Sequence, residues 1–117
     1  MTVVYERSGG FAGFRDVLRI DGGGLEFTRR GTQVAKRALS TDEAGKLKAL
    51  VDAASGAEPV KGTPGRLRDA FNFSVTVDGE LKAQLTAPHA PEATEGPWQA
   101  LTAWLDELLA AEIQRAP

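Results

Sequence analysis

The sequence predicts an α+β fold, an antiparallel β-sheet with two α-helices packed on one of its faces. Three observations lead there. Several stretches alternate apolar and polar residues at the two-residue period of a strand, most clearly Phe71-Asn72-Phe73-Ser74-Val75-Thr76-Val77. Two others repeat apolar residues at helical spacing. Neither helical stretch is apolar all round, so each has one face to bury, and both belong on the same side of the sheet. The predicted order is ββ(ββ)αββα, four main strands plus an extra hairpin, in a single domain spanning residues 1–117. It reads as two ββα units in tandem.

Taken in order, residues 2–7 form a strand with Val3 and Tyr5 on one face and Val4 on the other. Residues 15–21 form the second, with Leu18 and Ile20 inward and Arg15, Val17 and Arg19 outward. Asp21-Gly22-Gly23-Gly24 breaks the chain. Residues 25–29 and 33–39 make a hairpin turning at Arg30-Gly31-Thr32; its charges place it at a sheet edge, where they discourage edge-to-edge pairing. Ser40 and Glu43 have the spacing of a capping box and open the first helix, whose stripe is Leu47, Leu50, Val51 and Ala54. Ser55-Gly56 ends it, and a Gly/Pro-rich loop runs from 55 to 68.

Residues 71–77 and 80–86 form a hairpin turning at Asp78-Gly79. A two-residue turn would set Val77 opposite Glu80 and put Leu81 and Leu85 on the face away from the phenylalanines. Matching the apolar faces requires Val77 opposite Leu81, through a bulge. The loops at 55–68 and 87–96 join the same end of this hairpin and belong together in space. Pro97 suits the first position of the last helix, which runs to about Gln114. Its stripe is Leu101, Trp104, Leu105, Leu108 and Leu109, flanked by Trp98 and Ile113; Asp106, Glu107 and Glu112 are expected to face water.

The stretch no regular element claims is Arg7-Ser8-Gly9-Gly10-Phe11-Ala12-Gly13-Phe14. Its glycines allow backbone angles other residues avoid and a close approach to a partner. Its two phenylalanines either fold under the sheet or wait for a partner. A core role is favoured for Phe14, beside the second strand; for Phe11 the two readings are even. The stretch is no Walker motif, since the lysine is missing, and no dinucleotide fingerprint, since a strand follows.

Other chemistry is scarce. The chain has no cysteine and one histidine, His89 in a Pro-rich loop, so disulfides, thiolate sites and an intrinsic zinc site are not expected. Nothing in the spacing supports a Ser-His-Asp arrangement. Asp42-Glu43 and Asp106-Glu107 are accounted for by capping and solvated faces. The charge of −2 and a pI near 5.4 argue against a nucleic-acid partner. Basic residues at Arg29, Arg30, Lys36 and Arg37, and at Lys61, Arg66 and Arg68, read as solvated strand faces and loop edges. No apolar run approaches the roughly 20 residues of a membrane span, and no leader pattern opens the chain. The expectation is a soluble cytoplasmic protein, monomeric when free, with no enzyme activity and no cofactor, that works by surface contact.

The N-terminal strand leading into Ser8-Gly9-Gly10-Phe11-Ala12-Gly13-Phe14, the Asp69-Ala70-Phe71-Asn72-Phe73 strand start and the closing amphipathic helix resemble the emfourin family. The Ser-Gly-Gly-Phe-Ala-Gly core is the specific part. Residues 22–39 and the loop at 55–68 look like departures from the family pattern. Emfourins are small bacterial inhibitors of thermolysin-like zinc metalloproteases such as protealysin. The resemblance implies an inhibitor with no activity of its own and a thermolysin-like metalloprotease as partner. Residues Ser8, Gly9, Gly10, Phe11, Ala12, Gly13 and Phe14 would then supply the inhibitory loop, occluding the cleft, with direct ligation of the protease zinc by His89 or a carboxylate as a further option. A non-inhibitory interaction module using the same loop is the alternative. A small-molecule carrier, with an unfilled cavity near Trp98 and Trp104, is a third class.

Overall fold

The computed structural model describes residues 1–9, 14–61, 71–87 and 96–115. Strands β1 (Thr2–Gly9), β2 (Phe14–Asp21), β3 (Gly24–Arg29) and β4 (Thr32–Ala38) precede helix α1 (Thr41–Ala54). The short β5 (Val60–Lys61), then β6 (Phe71–Val77), β7 (Glu80–Ala87) and helix α2 (Pro97–Arg115) complete the chain. One sheet holds all the strands in the order β4-β3-β2-β1-β6-β7-β5. Six of them pair antiparallel, and the α+β class and the order ββββαββα agree with the sequence reading. The seventh, β5, adds two residues parallel to β7, Val60 opposite Ala83 and Lys61 opposite Gln84. A two-residue pairing leaves no periodicity to read.

The first strands of the two ββα halves, β1 and β6, pair with each other at the centre of the sheet. The inner face carries Val3 and Tyr5 from β1, Leu18 and Ile20 from β2, Leu25 and Phe27 from β3, Phe73, Val75 and Val77 from β6 and Ala83 from β7. These residues form one core with Leu47, Val51 and Ala54 of α1 and Trp98, Leu101, Leu105, Leu108 and Leu109 of α2. The rings of Tyr5 and Phe73 stack with centroids 6.5 Å apart, an arrangement that adds to the burial itself. The expected capping box is present: the Ser40 hydroxyl accepts from the Glu43 amide at 3.1 Å and Glu43 Oε1 accepts from the Ser40 amide at 2.9 Å.

The hairpins β2–β3, β3–β4 and β6–β7 turn through two residues with positive φ, at Gly22-Gly23, Arg30-Gly31 and Asp78-Gly79. Such turns match the right-handed twist of the flanking strands. β4 lies at the sheet edge, as its charge predicts, and a register shift beyond Phe27 bulges it.

The β6–β7 register corrects the sequence reading. Val77 lies directly opposite Glu80 and Thr76 opposite Leu81, which is the tight two-residue turn judged incompatible with the apolar pattern. The bulge falls one step further in, between Val75 and Thr76, and the extra residue is Lys82. Beyond it Ala83 and Leu85 pair with Val75 and Phe73. Leu81 is left on the open face of the sheet, 38% exposed. The turn geometry of Asp78-Gly79 outweighs the burial of one leucine, and the bulge restores the rest. Lys82 reaches the helix side, its Nζ 6.0 Å from the centroid of the Trp98 ring.

α2 supplies a second correction. Glu107 is exposed, but Asp106 and Glu112, expected to face water, are buried. Both are ion-paired, Asp106 with Arg7 and Glu112 with Arg37.

Candidate contact site at the β1–β2 hairpin

The glycine-rich stretch connects β1 to β2, and more of it is strand than the sequence implies. Ser8 and Gly9 belong to β1 and Phe14 opens β2, so the connection is the four residues 10–13. Gly10, Phe11, Ala12 and Gly13 lie outside the described residues, as do His89, Arg66 and Arg68. β1 stays paired on both sides to its end. Ser8 lies opposite Arg15 and Asn72, and Gly9 opposite Phe14 and Phe71. Gly9 has φ +98°, a backbone state open to glycine and strained for side-chain-bearing residues.

Three other chain segments reach this end of the sheet. β6 begins at Phe71, opposite Gly9, and β7 ends at Ala87, opposite Phe71. The strand ends that flank the two long loops therefore meet; the expected proximity of the loops themselves falls on residues 62–70 and 88–95, outside the described residues. From the β3–β4 turn the Arg30 amide donates to the Arg15 carbonyl at 3.0 Å.

Directly beneath the hairpin end lies a charged row. Arg7, Asp16 and Arg29 are cross-strand partners on β1, β2 and β3, on the inner face. Asp16 is fully buried. Arg29 Nε donates to Asp16 Oδ1 at 2.8 Å, and Arg7 Nη2 to Asp16 Oδ2 at 3.4 Å. Arg7 Nη1 also donates to Asp106 Oδ1 of α2 at 3.1 Å, and that same oxygen accepts from the Tyr5 hydroxyl at 2.8 Å. Burial, reinforced by the Asp106 charge and its hydrogen bond, pushes the Tyr5 hydroxyl far above its ordinary range, so it stays protonated as a donor. On the opposite face Arg15 Nε sits 2.8 Å from Glu6 Oε1. The hairpin is thus braced from both sides, and through Asp106 it is tied to α2.

A second ion-pair cluster lies on β4, away from this end. Arg37 Nε contacts Glu112 Oε1 at 2.7 Å, and its two terminal nitrogens hold the Glu43 carboxylate at 2.7 and 2.8 Å. Hydrogen bonding from Arg37, with help from the Ser40 amide, lowers the Glu43 carboxyl to about 2. Arg29 and Arg37 are therefore structural partners of buried carboxylates rather than solvated edge charges.

Trp98 is packed and its indole N–H donates to the Ala57 carbonyl at 3.1 Å. Beside Trp104 there is an open surface groove between the helices, lined with Leu50, Ala100 and Ala103 and rimmed by Lys46 and Glu107. It is not the enclosed cavity that a carrier would need. Among the described residues no three His, Asp or Glu side chains converge as a metal site, and no helix is long and apolar enough to cross a membrane.

The sequence matches the emfourin family over residues 5–106. The chain belongs to the emfourin family. The matched span begins and ends on the two residues that bridge β1 to α2, Tyr5 and Asp106. It includes the emfourin sheet from Tyr5 onward, with the end of the β1–β2 hairpin and all of the β3–β4 hairpin. Comparison with curated proteins and with solved structures gives no significant match. Sequence reasoning named the loop of this emfourin domain but missed its supports, Arg7, Asp16, Arg29 and Asp106. The signal was present, since Arg7 shares the inward parity of Val3 and Tyr5, and Asp16 that of Leu18 and Ile20.

Proposed function

We propose that this emfourin is a proteinaceous inhibitor of a thermolysin-like zinc metalloprotease. It acts by binding over the active-site cleft and does no chemistry of its own. Family membership over residues 5–106 carries the reading. The inhibitory surface is the hairpin end, Ser8, Gly9, Gly10, Phe11, Ala12, Gly13 and Phe14. An inhibitor of this kind must block the cleft with a segment already held in its bound form, because ordering a loop on binding subtracts from affinity. Support for this comes from the strand ends that carry the segment: Ser8 and Gly9 of the central strand are paired on both sides, and the row beneath is ion-paired. Glycines let the segment's backbone approach a cleft wall closely, and an aromatic in such a position often dominates contact energy. The free protein is proposed to be monomeric and cytoplasmic.

The test is titration of thermolysin-like proteases, including any encoded beside this chain, with the purified protein. Inhibition is expected at or below micromolar concentration. A protein that leaves every such protease fully active at that concentration is not an inhibitor of this class. Pull-down from the host then decides for or against the interaction-module alternative, according to whether the captured species is a metalloprotease.

A further inference from the structure

The row beneath the hairpin end is charged where an apolar row would serve. The next row into the sheet, Tyr5, Leu18 and Phe27, is aromatic and aliphatic and fully buried. Burying ions is costly, and replacing a buried ion pair with apolar residues of similar size is often neutral or stabilising. Stability is therefore a poor reason for Asp16 to sit wholly out of water between Arg7 and Arg29. Direction is a better one. Strand ends as glycine-rich as Ser8-Gly9-Gly10 specify register weakly. A slip of β1 against β2 by two residues leaves every apolar side chain on the inner face, so burial alone does not forbid it. That slip moves Arg7 from opposite Asp16 to opposite Phe14 or Leu18, and it parts Arg7 from Asp16. It also pulls Tyr5 and Arg7 out of line with Asp106 on α2, which both now contact.

We propose that Arg7, Asp16, Arg29 and Asp106 are positioning residues for the inhibitory hairpin. They fix the register in which β1 and β2 leave the sheet, and hence where the two strand ends, Gly9 and Phe14, present the connecting segment. The inference rests on the inhibitor reading. None of the four residues needs to touch the protease.

The experiment compares two variants with the unaltered protein. One is the apolar-row variant Arg7→Met/Asp16→Leu/Arg29→Met/Asp106→Asn, in which no buried carboxylate is left without its arginine; the other is the milder Arg29→Gln, at a side chain that is 44% exposed. Three quantities are read: melting temperature, amide hydrogen exchange across residues 8–15, and the inhibition constant for a thermolysin-like protease. The apolar row is expected to melt at or above the unaltered protein, yet to exchange about tenfold faster at the hairpin end and to inhibit about tenfold more weakly. Arg29→Gln should move exchange and inhibition in the same direction by less, and Arg29→Lys should restore part of the loss. If the apolar row does not fold, Arg29→Gln decides. Hairpin exchange and inhibition that match the unaltered protein in the folded variants overturn the inference. Should the unaltered protein itself fail to inhibit, the inhibitor reading falls, while the exchange comparison still decides whether the row holds the hairpin.

Discussion

The Tyr5 hydroxyl donates to Asp106 Oδ1 at 2.8 Å, joining residues 101 apart in the chain and tying the central strand to the last helix. Asp106 is charged and mostly buried, and it keeps Arg7 as a second partner. Tyr5→Phe therefore removes one hydrogen bond to a charged group without stranding the carboxylate. The expected cost is about 2 kcal/mol, read by denaturant unfolding.

The same hydroxyl predicts an alkaline limb. Its folded-state affinity for the proton is raised well above the ordinary value of about 10. The contribution to stability is complete below that ordinary value. It is lost as pH rises beyond it, because the unfolded chain releases the proton and the folded one does not. Unfolding free energy should fall above pH ~10 by up to about 1.4 kcal/mol per pH unit. Tyr5→Phe should remove that part of the slope, which pH-dependent denaturant melts would show.

Arg37 holds β4, the start of α1 and the end of α2 together through Glu43 and Glu112. Without it Glu112 would keep, among the described residues, only Arg115, at 3.5 Å. Arg37→Met is expected to cost about 3 kcal/mol, near the lower end for breaking a buried pair. Arg115→Met, at an exposed partner, should cost under about 1 kcal/mol. The pair also sets an acid limb. Glu43 is lowered to about 2, so its contribution is complete above the ordinary value of about 4.3 and fades as pH falls from there toward 2. Glu43→Gln should flatten that segment of the stability curve.

These two clusters also mark where the sequence was legible and where it was not. Strand period, the Ser40–Glu43 box and the charged edge hairpin were readable because each is a local pattern with a local cause. Asp106 and Glu112 were assigned to water because acidic residues are rarely buried without partners. Spacing said otherwise: Glu112 continues the stripe four residues after Leu108, and Asp106 lies four after the buried Thr102. Their partners stand on strands far away in the chain, which no local pattern reveals. For the site, the glycine-rich stretch was visible at once, while its extent was not. Ser8 and Gly9 look like loop residues, and only their pairing with β2 and β6 makes them strand.

The β6–β7 bulge makes a prediction for Leu81 that the alternative register reverses. Leu81 lies on the open face and Ala83 is fully buried. Leu81→Thr should change stability by less than about 0.5 kcal/mol. Ala83→Leu should overpack the core and cost about 2 kcal/mol. Had Val77 faced Leu81, Ala83 would still face Val75 on the inner face, and Leu81→Thr would be damaging as well. Thermal melts of the two variants decide.

Arg30 is the first central residue of the β3–β4 turn, with φ +52°. A left-handed backbone costs most side-chain-bearing residues roughly 1 kcal/mol, and asparagine tolerates it better. Arg30→Asn should therefore raise stability by about 0.5 kcal/mol. An unchanged or lower unfolding midpoint would show that the arginine side chain compensates for its strain through contacts of its own.

The inhibitory reading turns on Phe11. If it anchors the complex, Phe11→Ala should weaken protease inhibition by at least about tenfold, the cost of removing a buried aromatic anchor. The melting temperature should stay within about a degree, as for a surface substitution. If Phe11 instead plugs the core, the same change should cost about 3 kcal/mol of stability, with inhibition falling only as the folded fraction falls. Phe14→Ala provides the contrast. Phe14 opens β2 opposite Gly9, within the hydrogen-bonded frame, so its loss should appear first in the melting temperature. Opposite outcomes for the two phenylalanines would separate the contact residue from the one that holds the hairpin.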